Sequence, residues 1–119
     1  NQGLVVTAST IHMSILGAAG LENAAAACHA NTAALVAQLS AIDGVECAFE
    51  NTCFHEAVLK LNKPAAEVLA ALAEKNILGG YDLSKSYPEL GNAILVCATE
   101  MRSEEEIAAY AKAMAEVVA

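Results

Sequence analysis

Residues 3–16 are apolar on nearly every face of a helix, and this constrains the chain more than any other feature. At 3.6 residues per turn, Leu4, Val5, Ile11, Met13 and Ile15 spread over all sides rather than lining one. The polar members Thr7, Thr10 and Ser14 fall at i, i+3 and i+7 and form a single narrow stripe. Such a helix has to be covered on most sides, and a chain of 119 residues makes one domain whose core is too small to enclose it. The expectation is that residues 1–119 form one small domain at the C-terminal end of a larger subunit. Residues 1–16 then belong to the junction with a missing large domain, and further polypeptide or a partner covers them. A chain that opens on Asn1 fits a piece whose upstream sequence has been removed.

The rest of the chain alternates. Gly17 and Gly20 bracket a break, and a second helix is expected over 21–42, with Leu21, Ala24, Cys28, Thr32, Leu35 and Leu39 recurring at spacings of three and four. Asp43-Gly44 ends it. Strands are expected over 45–49 and 56–61, joined by a turn at Asn51-Thr52. Ala57, Leu59 and Leu61 alternate against Val58 and Lys60, as in a sheet covered on one face. Pro64 reads as a first helical residue, capped by Asn62 or Lys63, and opens a helix over 64–75 that stops at Asn76. Ile77-Leu78-Gly79-Gly80 leads into a loop through Asp82, Ser84, Ser86 and Pro88. The run over 93–99 is apolar enough for a central strand. Ser103 followed by Glu106 is a capping box, and Ile107, Tyr110, Met114 and Val118 stripe a last helix over 103–118. The order α-α-β-β-α-β-α predicts an α/β (α+β) fold: a three- or four-stranded, mainly antiparallel sheet with helices on one face.

Charge excludes whole classes of partner. Fourteen acidic residues against six Lys plus Arg give a net charge of −8, and the only arginine is Arg102. No cationic cluster exists to neutralise phosphates, so neither nucleic acid nor an anionic membrane surface is expected as a partner. No run of 18 uninterrupted apolar residues predicts a membrane span. Cys28, Cys47, Cys53 and Cys97 make no C-x-x-C pair and sit among apolar or small neighbours, which reads as reduced, buried thiols. Cys47, Cys53, His55 and Cys97 match no standard zinc spacing, so no metal is expected.

The residues that could line a site each have an ordinary reading. His55-Glu56 opens a strand and reads first as an edge pair facing solvent. Gly79-Gly80 permits close approach of a ligand or neighbouring chain, or is simply a turn after a helix. Thr99-Glu100 ends the central strand, where sites often form and where polar residues are also routine. His12 and His29 read as structural. There is no G-x-G-x-x-G, P-loop or G-x-S-x-G. These residues describe a helix-covered sheet and no reaction.

Several words in register carry a resemblance. They are Gly17 to Glu22 (G-A-A-G-L-E), Asp43-Gly44-Val45-Glu46, Phe54-His55-Glu56, Ile77-Leu78-Gly79-Gly80, Tyr87-Pro88-Glu89-Leu90 and Leu95-Val96-Cys97-Ala98-Thr99-Glu100. In order and separation the set resembles the P-protein of the glycine cleavage system, in its α-subunit (subunit 1) form, over its last quarter. Ala57 departs from that pattern, where a bulkier residue is usual. The resemblance implies the small C-terminal domain of the aspartate-aminotransferase-like (type I pyridoxal-phosphate) fold. It also implies a cytoplasmic α/β heterotetramer that decarboxylates glycine and passes the aminomethyl group to the lipoyl arm of H-protein. The lysine holding pyridoxal phosphate then belongs to the β subunit, and this chain carries no cofactor and no catalytic residue of its own. His55, Glu56, Gly79, Gly80, Thr99 and Glu100 are its expected site- or interface-lining residues. The competing readings are a free-standing ferredoxin-like binding or regulatory domain, and the small domain of another type I enzyme such as a class V aminotransferase or cysteine desulfurase. The apolar first helix argues against the former and the sequence words against the latter.

Because the first helix presents apolar surface all round, the isolated 119-residue chain is expected to self-associate through it. Sedimentation at high protein concentration tests this, and a clean monomer counts against it.

Overall fold

The computed structural model describes residues 2–119. Helix α1 (Gln2–Ser40) leads into strands β1 (Val45–Cys47) and β2 (Glu56–Leu61), then α2 (Ala65–Glu74), β3 (Tyr81–Asp82), a single 3-10 turn (Pro88–Leu90), β4 (Ala93–Cys97) and α3 (Glu104–Val118). The four strands form one sheet in the order β1-β2-β4-β3, with every neighbouring pair antiparallel. The predicted mixed fold is therefore observed, with helices on one face of the sheet.

The face they cover follows from strand alternation. Leu59 and Leu61 of β2 and Ile94 and Val96 of β4 point one way and are buried. Val45 lies opposite Leu61, and Leu59 opposite Ile94, so the inward face is continuous across three strands. Leu35 and Leu39 of α1, Val68 and Leu72 of α2, and Ile107, Met114 and Val118 of α3 close over it. Fully burying a side chain of this size is worth about 1.5–3 kcal/mol. The exposed Lys75–Glu116 ion pair, at 2.7 Å, belongs to a class worth about 0–1 kcal/mol. The apolar layer, and not the surface charges, holds the domain together.

Several expectations needed correction. The two predicted helices 3–16 and 21–42 are one element with a kink at Gly17 alone (φ 63°, ψ −175°), a conformation open essentially to glycine. Gly20 stays helical, and a Cβ there would lie 2.9 Å from that of Leu16, so its role is room for Leu16 inside the bend. The strand expected over 45–49 stops at Cys47; Phe49 is exposed, and residues 48–55 form a loop before β2. Residues 81–82, expected as loop, pair with Leu95 and Ile94 as a two-residue edge strand, too short to show a period. The central strand ends at Cys97, two residues earlier than expected. Pro64 is the N-cap of α2 rather than its first residue, and no side chain caps that helix. Asn76 does stop it, in the left-handed region at φ 61°. The capping box of α3 is present, with Glu106 N donating to Ser103 Oγ at 3.2 Å and Ser103 N to Glu106 Oε2 at 2.9 Å.

The four cysteines are unpaired, but they are not core residues: Cys47 and Cys97 are exposed, and Cys28 and Cys53 half-buried. Cys97 faces away from the helices because it alternates with the buried Val96 and Ala98.

The first part of α1 is exposed throughout, with Leu4 at 77% and Ile15 at 79%. By length and composition α1 could cross a membrane. The run before the kink, however, reaches roughly 22 Å, short of a ~30 Å hydrocarbon core. Beyond the kink the first buried residue is Thr32, and Thr32, Leu35 and Leu39 are the positions that pack on the sheet.

Gly80 has φ 141°, and a Cβ added there would stand 2.5 Å from the carbonyl oxygen of Leu95. Gly91, at φ 70°, has open space where a Cβ would go. Gly80→Ala is expected to cost more than about 3 kcal/mol and Gly91→Ala about 1–2 kcal/mol. Equal urea midpoints for the two variants would contradict the close approach at Gly80.

Candidate functional site

The antiparallel register gathers the six expected residues. Glu56 lies opposite Cys97 and Tyr81 opposite Leu95. The start of β2, the start of β3 and the end of β4 therefore share one end of the sheet, bringing His55-Glu56, Gly79-Gly80 and Thr99-Glu100 to one side of the molecule. Glu56, Gly79 and Gly80 line an open, mainly apolar groove of about 720 Å³, walled by Leu35, Leu95, Ile107 and Tyr110. His55, Thr99 and Glu100 do not line it, although Ala98 and Arg102, on either side of Thr99-Glu100, do.

Each residue of this end is held for a visible reason. Gly79 is buried, and a Cβ on it would collide with Leu72 Cδ1 at 2.4 Å. The Tyr110 hydroxyl donates to the Gly79 carbonyl, and burial raises its pKa far above the usual tyrosine range. Its folded-state pKa lies above the unfolded one. The associated stability is thus complete below the ordinary tyrosine pKa and is lost as pH rises toward the raised value. Gly79-Gly80 is in this chain a packed crossing over β4.

His55 stands just before β2 and is not the solvent-facing edge residue expected. It is half-buried, its ring meets Phe54 edge-on at 4.8 Å, and its Nδ1 is buried without a hydrogen-bond partner. Glu56 is exposed, as expected. His29 Nδ1 lies 3.3 Å from the Phe54 carbonyl, which ties α1 to the same segment.

At the other junction, three side chains of α1 capture the backbone between Ala98 and Arg102. Thr32 Oγ1 donates to the Ala98 carbonyl at 2.9 Å and is fully buried. Asn31 Nδ2 donates to the carbonyls of Thr99 and Arg102, both at 2.9 Å. Cys28 Sγ donates to Glu100 Oε2 at 3.1 Å and accepts from Glu100 N at 3.3 Å. The hydrogen bond to the Glu100 carboxylate, with partial desolvation, holds the Cys28 thiol above its ordinary pKa. The same bond lowers the pKa of Glu100. A lowered carboxylate contributes above its unfolded pKa and is lost as pH falls through the folded one. Arg102 is exposed and pairs with Glu106 at 3.2 Å.

Cys28, expected as an inert packed thiol, is instead bonded to Glu100, and Asn31 was not among the expected residues. Asn31 gave a signal: asparagine is a poor helix former in a helix interior, and here it stands beside a threonine on the apolar stripe.

The lysines have other settings. Lys60 is on the exposed sheet face, Lys63 Nζ donates to the Val117 carbonyl at 3.0 Å, Lys75 is paired with Glu116, and Lys85 and Lys112 are exposed. None lines the groove. Covalent pyridoxal phosphate needs a sheltered lysine beside an anion cradle, and the residues of this chain do not fit that requirement.

A helix-covered antiparallel sheet of this order defines a small domain of the type I pyridoxal-phosphate fold. A solved glycine decarboxylase (P-protein) of the glycine cleavage system, in inhibitor-bound form, superposes on 90% of the chain with a TM-score of 0.84 and 31% identity, using 24% of its own length. The family model for the glycine cleavage system P-protein matches residues 1–114. The chain belongs to the glycine cleavage system P-protein family. It is 56% identical over 118 residues to a probable glycine dehydrogenase (decarboxylating) subunit 1 of Methylococcus capsulatus, covering 99% of this chain and 26% of that one. For the Alcanivorax borkumensis protein of the same description, identity is 57% over 119 residues, covering 100% and 26%. The Legionella pneumophila (strain Paris) protein is 54% identical over 114 residues, covering 96% and 25%. The chain thus spans about a quarter of the length of the curated relatives it matches.

Replacing Glu100 by Gln removes the anion that holds the Cys28 proton. Alkylation of Cys28 by iodoacetamide at pH 8, followed by peptide mass mapping, is expected to speed up several-fold in Glu100→Gln. An unchanged rate would show that the carboxylate does not control the thiol.

Proposed function

We propose that this chain is part of subunit 1, the α subunit, of a glycine dehydrogenase (decarboxylating). The whole protein decarboxylates glycine and transfers the aminomethyl group to the lipoyl group of H-protein. It works in the cytoplasm as an α/β heterotetramer, and this chain is its small C-terminal domain. The observation that carries the reading is the match to subunit 1 relatives over nearly the whole chain, at more than half identity.

Pyridoxal phosphate, when bound in such an enzyme, supplies the electron sink for a carbanion at the glycine Cα. In this proposal the lysine that carries it is in the β subunit, in keeping with the poor fit of the lysines here. The role of this chain is assembly: the end of the sheet with His55, Glu56, Gly79, Gly80, Thr99 and Glu100 forms a wall of the site or of the subunit interface. The exposed apolar part of α1 packs on the rest of the subunit, which gives a physical reason for surface that would otherwise face water.

The test uses the full-length subunit carrying this sequence, co-expressed with its own second subunit. Glycine decarboxylation is expected only when both subunits are present with lipoylated H-protein, and inactivity of that mixture would overturn the function. Borohydride reduction with pyridoxal phosphate is expected to label the second subunit. One-to-one, glycine-protected labelling of Lys60, Lys63, Lys75, Lys85 or Lys112 would overturn the division of labour.

A further inference from the structure

We infer that Asn31 is a positioning residue, which fixes the Thr99–Arg102 turn against α1 and so sets where Arg102 stands in the lining of the groove. This deepens the proposed function and rests on it for the functional consequence.

The argument is one of donors and acceptors. Between β4 and α3 the chain makes a tight turn, closed by Arg102 N donating to the Thr99 carbonyl at 3.1 Å. Met101 N also donates to Thr99 Oγ1 at 3.3 Å, but bonds internal to the turn leave its direction relative to the sheet free unless something grips both ends. Asn31 does so with one amide nitrogen, which reaches the carbonyl at the start of the turn and the carbonyl at its end. The amide has two N–H groups and the turn offers two acceptors at the same distance, so the donors are fully used. Asn31 is half-buried, which limits the water available to replace it. Its neighbours act on other atoms: Thr32 grips Ala98, which the covered end of β4 already places, and Cys28 grips Glu100. Asn31 alone among the three spans the turn. Arg102, at the far end of the span, lines the groove, and the turn's first residue, Thr99, follows Ala98, which also lines it.

Asn31→Asp is nearly isosteric, but it replaces two donors with an anion facing two carbonyl oxygens, so the grip becomes repulsion. Thr32→Val breaks a bond one residue away and leaves the turn spanned. Both variants are compared with wild type in the full-length subunit paired with its second subunit. Hydrogen exchange at the amides of 100–103 is expected to rise at least tenfold in Asn31→Asp and to stay within about twofold of wild type in Thr32→Val. The value of kcat/KM for glycine is expected to fall at least tenfold in Asn31→Asp at equal complex content, with Thr32→Val near wild type even where its Tm is lower. Unchanged exchange in Asn31→Asp overturns the positioning role. Raised exchange with kinetics matching Thr32→Val overturns its functional consequence. If the wild-type complex does not act on glycine, the functional reading fails by itself, and the exchange data alone decide whether Asn31 positions the turn.

Discussion

The second half of α1 lies along the sheet because its polar positions are matched to backbone carbonyls as closely as its apolar ones are matched to the core. Leu35 and Leu39 supply the buried surface, one and two turns beyond Thr32. Thr32 and Asn31 supply the register, since hydrophobic contact has no direction and would allow the helix to slide. A buried carbonyl left without a donor costs about 1–3 kcal/mol, so slippage by even one residue loses the bond to Ala98 and exposes that cost. The turn at Thr99–Arg102, which leads into α3, is held at the Asn31 side of this junction.

What could be read from the residues was what repeats. The stripe of α3, the alternation of β2 and the capping box at Ser103 each involve several residues agreeing on one period, and all three were found in place. What could not be read was whatever depends on one residue or on distant partners. The edge strand Tyr81–Asp82 has no period at two residues and exists because β4 offers it a ladder. The break in α1 was legible as glycine, but not which glycine bends: the kink falls at Gly17, with Leu16 lying beside Gly20. The thiols looked buried because their neighbours are small and apolar. Yet alternation along a strand sends Cys97 outward whatever its neighbours are.

The candidate residues show the same division. Words such as Phe54-His55-Glu56 and Leu95 to Glu100 could be picked out by resemblance, and only the antiparallel register explains why they belong together. Residues some forty positions apart in sequence meet because two strands run in opposite directions with Glu56 opposite Cys97. Asn31 escaped notice because its partners are main-chain carbonyls, which no side-chain motif records.

The polar side chains at this end of the sheet are largely spent on the chain's own backbone. Thr32, Asn31 and Tyr110 each donate to a carbonyl, and Cys28 is bound to both the amide and the carboxylate of Glu100. Groups so engaged hold a shape and are not free to exchange protons with a ligand. Among the described residues His55 is the one with a buried side-chain nitrogen, Nδ1, that has no partner. Folded chains carry few such groups, because each forfeits its hydration without replacement. It lies at the end of the sheet where the six sequence-derived residues converge, so the unspent polar atom and the convergence mark the same place in the fold. A frame whose hydrogen bonds are largely closed, with one buried ring nitrogen left open at its rim, is in keeping with the wall proposed above.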